Sequence, residues 1–387
     1  MAHNSTHFAT VDQAVQDFRA GRMVVVVDDE DRENEGDLTL AAEFVTPEAI
    51  NFMARFGRGL ICLTLTEDRA DYMRLGPMTR ENTSQFGTAF TESVEARVGV
   101  TTGISAADRA HTIKVAIDPA STAYDLARPG HVFPLRARKG GVLVRAGQTE
   151  ASVDLARMAG LIPAGVICEI MNEDGTMARV PDLVSFCAEH KLLMVTVADL
   201  IRYRLQHERY LHRVGESILP TAHGDFRMIA YENEADATES HVALVMGDVT
   251  CDTPVPVRVH THALAEDVFG LNGADARPII EGSLRMIAEA GRGALLYLHN
   301  GTRGFGIDRS VEPHRLTFHQ RDARGRSDSA DRNMRTLRQV GLGGQILSDL
   351  GIRKIRLLTN TPTHVPALQG FGIEIVEQVP ITTRVPA

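Results

Sequence analysis

Hydrophobic positions along the first half of the chain alternate between helical spacing and short apolar runs. Thr10 and Gln13 stand in capping-box register, and the apolar residues after them recur at helical spacing until Gly21. The run Met23–Val27 predicts a buried strand. Four later segments also predict strands, with helical patterns between them: Arg58–Thr66, Lys114–Asp118, Gly141–Gly147 and Ala164–Gly175. Alternating strands and helices are typical of layered α/β proteins, so we predict the α/β class.

The second half of the chain repeats this alternation and predicts a second α/β domain with its own core. Its apolar segments predict four strands and a helix: His241–Val249, Gly293–His299, Ile352–Asn360, Ile373–Pro380 and the helical Leu342–Gly351. Between the halves, a charged helical end passes into a less patterned stretch that closes at Pro220. We therefore expect a first domain at 1–208, a linker at 209–219 and a second domain at 220–387.

Composition narrows the class of protein. Hydrophobic residues make up 43% and charged residues 24% of the chain, which is typical of a globular protein. No apolar run approaches the roughly 18 residues of a membrane-spanning helix, and the N-terminus lacks a secretory pattern, so we expect a cytoplasmic protein. The net charge of −9 argues against a nucleic-acid partner. The cysteines are widely spaced and predict reduced, mostly buried thiols.

An acidic segment follows the valine run. Asp28–Asp37 holds seven acidic residues and one basic residue, Arg32. Such a cluster is often a solvated surface, but ligand sites of α/β proteins gather where buried strands end. Oxygen-rich loops suit Mg²⁺ or Mn²⁺, and an arginine among the acids would attract a phosphate or carbonyl. The pattern leaves a solvated loop and a metal-dependent site as alternatives.

Three other segments carry candidate chemistry. His131 lies in Arg128–Leu135, which we expect to be a proline-stiffened loop where the histidine is either structural or a proton carrier. Arg145–Gln148 precede a helix that should begin near Thr149; the segment predicts either an anion site or ordinary capping by Thr149. Glu169 is flanked by apolar residues, so it lies either on the wet face of an edge strand or as a partly buried carboxylate that could carry protons.

Several motifs resemble one known family in the right order. They are DDEDRENEGD, FGTAFT, GVTTGISAADR, RPGHVFPL, GGVLVRAGQTEAS and GVICEIMNEDGTMAR. These runs resemble 3,4-dihydroxy-2-butanone 4-phosphate synthase of riboflavin biosynthesis, from about Val11 to Glu208. The resemblance implies a layered α/β sandwich that works as a homodimer.

The resemblance also implies an activity and a set of site residues. The family converts D-ribulose 5-phosphate into L-3,4-dihydroxybutan-2-one 4-phosphate and formate, with Mg²⁺ or Mn²⁺. His131 and Glu169 would be catalytic, and Glu33 and the residue at 148 would bind the metal. The residues implied to bind substrate are Arg32, Glu33, Asp37, Thr102, Arg145, Gln148, Thr149 and Glu169.

Position 148 departs from the family pattern, which has a histidine there as the second metal ligand. The amide oxygen of Gln148 can also bind a hard ion, but it cannot take up a proton. We therefore expect metal binding with impaired turnover. The rival interpretation is a binding or regulatory homologue that Gln148 has silenced.

The second half, from about Pro220, resembles GTP cyclohydrolase II but lacks the cysteines of that family's zinc site. Ala263 stands at one such position, and residues 270–284 contain no cysteine. His260 and His262 could suggest a metal pair, but no third ligand is in sight. We expect no zinc and no GTP cyclohydrolase II activity, and instead a role in structure, dimer contacts or regulation.

Overall fold

The computed structural model divides into two compact units, which are described separately: Met1–Tyr203 and Arg204–Ala387. The structure describes residues 7–29, 32–84, 86–233, 236–262, 267–268, 276–299, 305–308, 315–318, 329–361 and 366–382. Each unit combines helices with a seven-stranded sheet, which confirms the predicted α/β class.

The first unit alternates helices and strands. Its helices are α1 Val11–Arg19, α2 Pro47–Phe52, α3 Glu67–Tyr72, α4 Ala106–Ile117, α5 Gln148–Met158, α6 Val180–His190 and α7 Val197–His207, the last of which crosses the division between units. Its strands are β1 Val24–Val27, β2 Gly36–Ala41, β3 Cys62–Leu65, β4 Val94–Ala96, β5 Leu126–Arg136, β6 Ala164–Glu169 and β7 Leu193–Thr196. The capping box at Thr10 is present, because its hydroxyl accepts from the Gln13 N–H at 3.3 Å.

The strand order of the first sheet explains where the acidic segment lies. The order is β4-β5-β3-β6-β2-β1-β7. Strands β1 and β2 are antiparallel, with Val27 opposite Gly36, so the acidic segment is the loop that joins them. Strand β6 runs antiparallel to β2 and places Glu169 opposite Asp37. The loop and the end of β6 therefore meet where these interior strands end.

The core of the first unit is built on β1, β2, β3 and β6. All four residues of β1 and all six of β2 are buried, so both faces of these central strands are covered. Leu38 and Leu40 pack in one cluster with side chains from the helices and loops, including Ile50, Ile113 and Leu183. Continuous valines suit this position, because a strand buried on both faces has no wet side for polar residues.

Two predicted strands in the first unit were wrong. Lys114–Asp118 is the end of α4, whose buried Ala110, Ile113 and Ile117 follow helical spacing over a longer window than the short apolar run. Gly141–Gly147 begins as a short 3₁₀ turn, Gly141–Leu143, instead of a strand. That turn is held by the buried carboxylate of Asp154, which accepts from the Val142 N–H at 2.9 Å.

The second unit has the sheet order β16-β15-β11-β12-β10-β9-β8 and a separate pair, β13-β14. These elements are β8 Leu211–Thr221, β9 Gly224–Asn233, β10 Asp236–Met246, β11 Val255–Thr261, β12 Gly293–Leu298, β13 Phe305–Asp308, β14 Arg315–Phe318, β15 Lys354–Leu358 and β16 Glu374–Val379, with helices α8 Arg277–Glu289 and α9 Ser329–Asp349. The four strands and the helix predicted here are all present.

The expected linker, 209–219, is largely part of strand β8, which pairs with β9 over most of its length. This strand is at the edge of its sheet and mostly exposed, so it lacks the apolar alternation that reveals a strand. Pro220 has no N–H to donate, and an edge strand tolerates this because one side of its backbone pairs with nothing. No helix among the described residues is long and apolar enough to span a membrane.

Candidate functional site

The acidic loop is folded around one buried carboxylate, that of Asp28. Its Oδ2 accepts from Arg32 Nη1 at 2.7 Å and from the Glu33 N–H at 3.1 Å, and its Oδ1 accepts from the Glu35 N–H at 2.9 Å. The Asp28 side chain is fully buried. This carboxylate replaces the secondary-structure bonds that a tight loop cannot make, and so fixes where Arg32 and Glu33 point.

The guanidinium of Arg32 lies between the two candidate metal ligands. Its Nη2 donates to Glu33 Oε1 at 2.9 Å and its Nη1 donates to Gln148 Oε1 at 3.0 Å. Its carbon Cζ lies 5.4 Å from the centre of the Phe86 ring, within cation–π range. Burial has the largest effect on the pKa of Glu33 and raises it, although the charge of Arg32 lowers it. The two oxygens expected to bind metal thus both accept hydrogen bonds from one guanidinium.

A second arginine, Arg179, also holds the loop. Its Nη1 donates to the backbone carbonyl of Glu33 at 2.7 Å and to that of Asn34. Neither Arg179 nor Asp28 is predicted as a site residue from the sequence. Both fall within the quoted motifs, but a motif does not distinguish a residue that touches a ligand from one that holds the loop.

Asp37 and Glu169 are the candidate site residues that lie on strands of the sheet. They are register partners on β2 and β6, and Asp37 is buried. Burial and, next, the charge of Glu169 raise the pKa of Asp37 well above its usual range. Glu169 is half-buried on an interior strand, so the edge-strand alternative is wrong. Its Oε2 accepts from the Leu60 N–H at 2.7 Å, and a side chain at Gly59 would collide with it.

Helix α5 brings the predicted anion-binding segment to the same loop. The helix begins at Gln148 and its cap is Gly147, whose extended backbone offers no capping side chain, so Thr149 is not the cap. Arg145 Nη1 donates to the buried carboxylate of Glu150 at 2.8 Å, and its Nη2 donates to the Phe86 carbonyl at 3.1 Å. Thr149 and Gln148 are both buried in the first turn. The Gln148 contact with Arg32 joins this turn to the acidic loop.

His131 and Thr102 lie in a different cluster. His131 is in strand β5, not in a free loop, but pairing with β4 jumps from Ala127 to Val132, so residues 128–131 bulge. His131 Nδ1 contacts Glu95 Oε2 at 2.9 Å. Thr102 is exposed in the nearby loop before α4. No hydrogen bond or ion pair among the described residues joins either of them to Arg32 or Glu33, and β3 separates the strands of His131 and Glu169.

His260 and His262 of the second unit belong to one hydrogen-bonded network. His260 Nε2 contacts Asp267 Oδ1 at 2.8 Å, and His262 Nδ1 contacts the Tyr297 hydroxyl at 2.8 Å. That hydroxyl donates to Asp267 Oδ2 at 2.6 Å. Within the ranges that the structure describes, no group of three or more acidic, histidine or cysteine side chains could hold a metal. Ala263 and residues 270–275 lie outside those ranges.

Comparisons with known proteins match both halves of the chain. The family model described as 3,4-dihydroxy-2-butanone 4-phosphate synthase matches residues 12–203, and that of GTP cyclohydrolase II matches residues 212–380. Two relatives are each named riboflavin biosynthesis protein RibBA. The one from Aquifex aeolicus is 54% identical and aligns over 97% of this chain and 92% of its own length. The one from Salinispora arenicola is 50% identical, with 98% and 90% covered.

Solved structures resemble the chain in the same way. A protein described as RibBX, a two-domain 3,4-dihydroxy-2-butanone 4-phosphate synthase from A. baumannii, has a TM-score of 0.77 at 40% identity and covers 96% of this chain and 99% of its own. A 3,4-dihydroxy-2-butanone 4-phosphate synthase in complex with two magnesium ions has a TM-score of 0.50 at 42% identity, covering 52% of this chain and 99% of its own. The family predicted for each half is thereby confirmed. The chain belongs to the 3,4-dihydroxy-2-butanone 4-phosphate synthase family of riboflavin biosynthesis, in a two-domain form whose second domain is of the GTP cyclohydrolase II family.

Proposed function

We propose that the first unit converts D-ribulose 5-phosphate into L-3,4-dihydroxybutan-2-one 4-phosphate and formate. The observation that carries this proposal is that Glu33 Oε1 and Gln148 Oε1 both accept hydrogen bonds from the Arg32 guanidinium. Arg32 and Glu33 lie in the loop that leads into β2, where Asp37 stands opposite Glu169 of β6. A charged substrate with several hydroxyl groups needs such a mixture of cationic and acidic partners.

Glu33 and Gln148 fit a divalent cation such as Mg²⁺ or Mn²⁺. Hard ions take oxygen ligands, and Mg²⁺ in enzymes is commonly held by one or two protein groups plus waters and substrate oxygens. One carboxylate and one amide oxygen, both next to the same cationic group, make a donor set of that kind. When bound, the metal would polarise the carbonyl of the substrate.

The chain's own residues would bind the sugar phosphate and move its protons. Arg145 would hold the phosphate beside the first turn of α5, and Arg32 and Asp37 would bind the sugar oxygens. Thr149 is buried in that same turn. Glu169 lies opposite Asp37 and would exchange protons with the bound sugar. His131 would supply the other acid–base group.

His131 and Thr102 would complete the site of a second copy of the chain. Both are exposed, and β3 separates their cluster from the Glu169 side. A homodimer in which each copy supplies one cluster would place all the proposed residues in one site. Sedimentation should then give a dimer, and mixing the inactive Glu33→Gln and His131→Asn variants should restore formate release. An active monomer would contradict this part of the proposal.

Gln148 should lower turnover without abolishing it. Its amide oxygen is engaged by Arg32 and its amide nitrogen lies 3.4 Å from the Glu35 carbonyl, so it must give up a contact to bind metal. Disturbing a metal ligand set commonly costs about 10- to 100-fold. Formate release from ribulose 5-phosphate with Mg²⁺ should therefore rise in Gln148→His. Equal rates in the two proteins would refute the impairment, and no formate from either would favour the silenced homologue.

The second unit should lack GTP cyclohydrolase II activity. Zinc sites of that kind need sulfur or nitrogen ligands in a tetrahedral set, and the second half of the sequence has one cysteine, Cys251. The two histidines that could suggest a metal pair, His260 and His262, are hydrogen-bonded to Asp267 and Tyr297. Incubation with GTP and Zn²⁺, followed by detection of released formate, tests this. Turnover of GTP would contradict it.

A further inference from the structure

The imidazole of His131 has one carboxylate partner among the described residues, that of Glu95. The contact joins His131 Nδ1 and Glu95 Oε2 at 2.9 Å. The histidine side chain is 44% exposed and the glutamate side chain 24% exposed, so the carboxylate lies deeper than the ring. Glu95 comes from the short edge strand β4, whose neighbouring residues Val94 and Ala96 are both buried. The acceptor is therefore anchored, while the ring is partly open to solvent.

The backbone around this pair is shaped to fit it. A Cβ atom on Gly103 would lie 1.9 Å from Glu95 Oε2 and 2.6 Å from His131 Nδ1, so only glycine leaves room for the contact. Gly103 also has φ of +86°, a conformation that side chains disfavour. Its N–H donates to the buried Asp108 Oδ2 at 3.0 Å, and Thr101 Oγ1 donates to the same atom at 2.7 Å. The loop is thus fixed over the pair from the start of α4.

The chemistry of the contact determines the tautomer of the ring. An ionised carboxylate only accepts hydrogen bonds, so the proton of the contact belongs to His131 Nδ1. In the neutral ring the lone pair is then on Nε2, which is the atom that can take a proton from a substrate. Enzymes that use histidine as a general base often orient it with a further hydrogen-bonding group of this kind.

We propose that Glu95 is the positioning residue of His131: it accepts the Nδ1 proton, fixes the ring and leaves Nε2 to exchange protons with the substrate. This inference rests on the proposed role of His131 in releasing formate. Glu95 itself does not touch the substrate. General acid–base catalysis is worth about 10²–10⁴-fold, and a misdirected ring forfeits part of that.

The test is Glu95→Gln in the full chain, assayed for formate release from ribulose 5-phosphate with Mg²⁺. We expect kcat to fall at least about tenfold, with KM changed less than kcat because the substrate-holding groups are untouched. Glu92→Gln is the matched control: its carboxylate is 50% exposed and pairs with Arg128 at 3.3 Å instead of with His131. A kcat equal to that of the unaltered chain, or a loss shared equally by Glu92→Gln, would overturn the proposal.

A second measurement does not depend on turnover. In protein labelled with ¹⁵N-histidine, the His131 resonances are identified by their loss in His131→Asn. They should report the Nδ1–H tautomer in the unaltered chain and a change of tautomer in Glu95→Gln. An Nε2–H tautomer in the unaltered chain would overturn the proposal even if Glu95→Gln failed to fold. If the unaltered chain releases no formate, the proposed function fails while this measurement still decides the role of Glu95.

Discussion

The replacement Asp28→Asn tests whether one buried carboxylate folds the acidic loop. The change keeps the shape of the side chain but leaves one acceptor oxygen where there were two. Asp28 Oδ2 now accepts from Arg32 Nη1 and from the Glu33 N–H, and Oδ1 accepts from the Glu35 N–H. Whichever way the amide turns, its NH₂ group faces at least one N–H donor.

Two opposing effects set the size of the loss. A buried donor left unsatisfied costs about 1–3 kcal/mol, and a charge-assisted bond such as that to Arg32 is roughly twice as strong as a neutral one. Against this, the change removes a negative charge near Glu33, Glu35 and Asp37. The pKa of each is raised first by burial, and Asp28 is one of the smaller causes. Because Asp28 is a minor cause of each shift, we expect the relief to be smaller than the loss. We expect a net destabilisation of about 2 kcal/mol.

Urea unfolding of the full chain, followed by far-ultraviolet circular dichroism, measures this loss in the transition of the first unit. Glu189→Gln is a suitable control, because Glu189 is exposed on α6 and a surface change of this kind is usually within about 0.5 kcal/mol of neutral. If Asp28→Asn is as stable as the unaltered chain, repulsion among the acids outweighs the hydrogen bonds and the reasoning fails.

Three other predictions concern charge and metal. Because the pKa of Asp37 is raised in the folded chain, the folded state binds more protons there than the unfolded state, and the free energy of unfolding falls as the pH rises from the ordinary carboxyl range. Asp37→Asn should therefore have a higher free energy of unfolding at neutral pH, but not at about pH 3, which is below the ordinary pKa of about 3.9. An equal gain at both pH values would contradict this. Arg145→Gln should raise KM for ribulose 5-phosphate at least about tenfold, since a bond to a charged group is worth about 1.5–3 kcal/mol, and an unchanged KM would place the phosphate elsewhere. A chelator should stop formate release and added Mg²⁺ should restore it, whereas release that survives chelation would exclude the proposed metal.

The sequence predicted the general fold and a set of candidate positions for chemistry. Local signals sufficed for this: the capping box at Thr10, the valines of β1 and the short apolar runs of the second unit all predicted elements that are present. They failed where a different environment produces a similar pattern. The end of α4 is as apolar as a strand because one helix face is buried, and β8 lacks a pattern because it is an exposed edge.

By itself, then, the sequence determined two α/β domains, the acidic segment, the resemblance of each half to an enzyme family and the departure at Gln148. Only the tertiary structure decided which of these residues meet. Asp37 faces Glu169 because β2 and β6 pair across more than a hundred residues, and His131 meets Glu95 through a bulge in β5. Strand order, register and bulges arise from contacts between distant segments, and local spacing carries no information about them. Only burial and hydrogen bonding reveal that Asp28 and Arg179 hold the loop around Glu33.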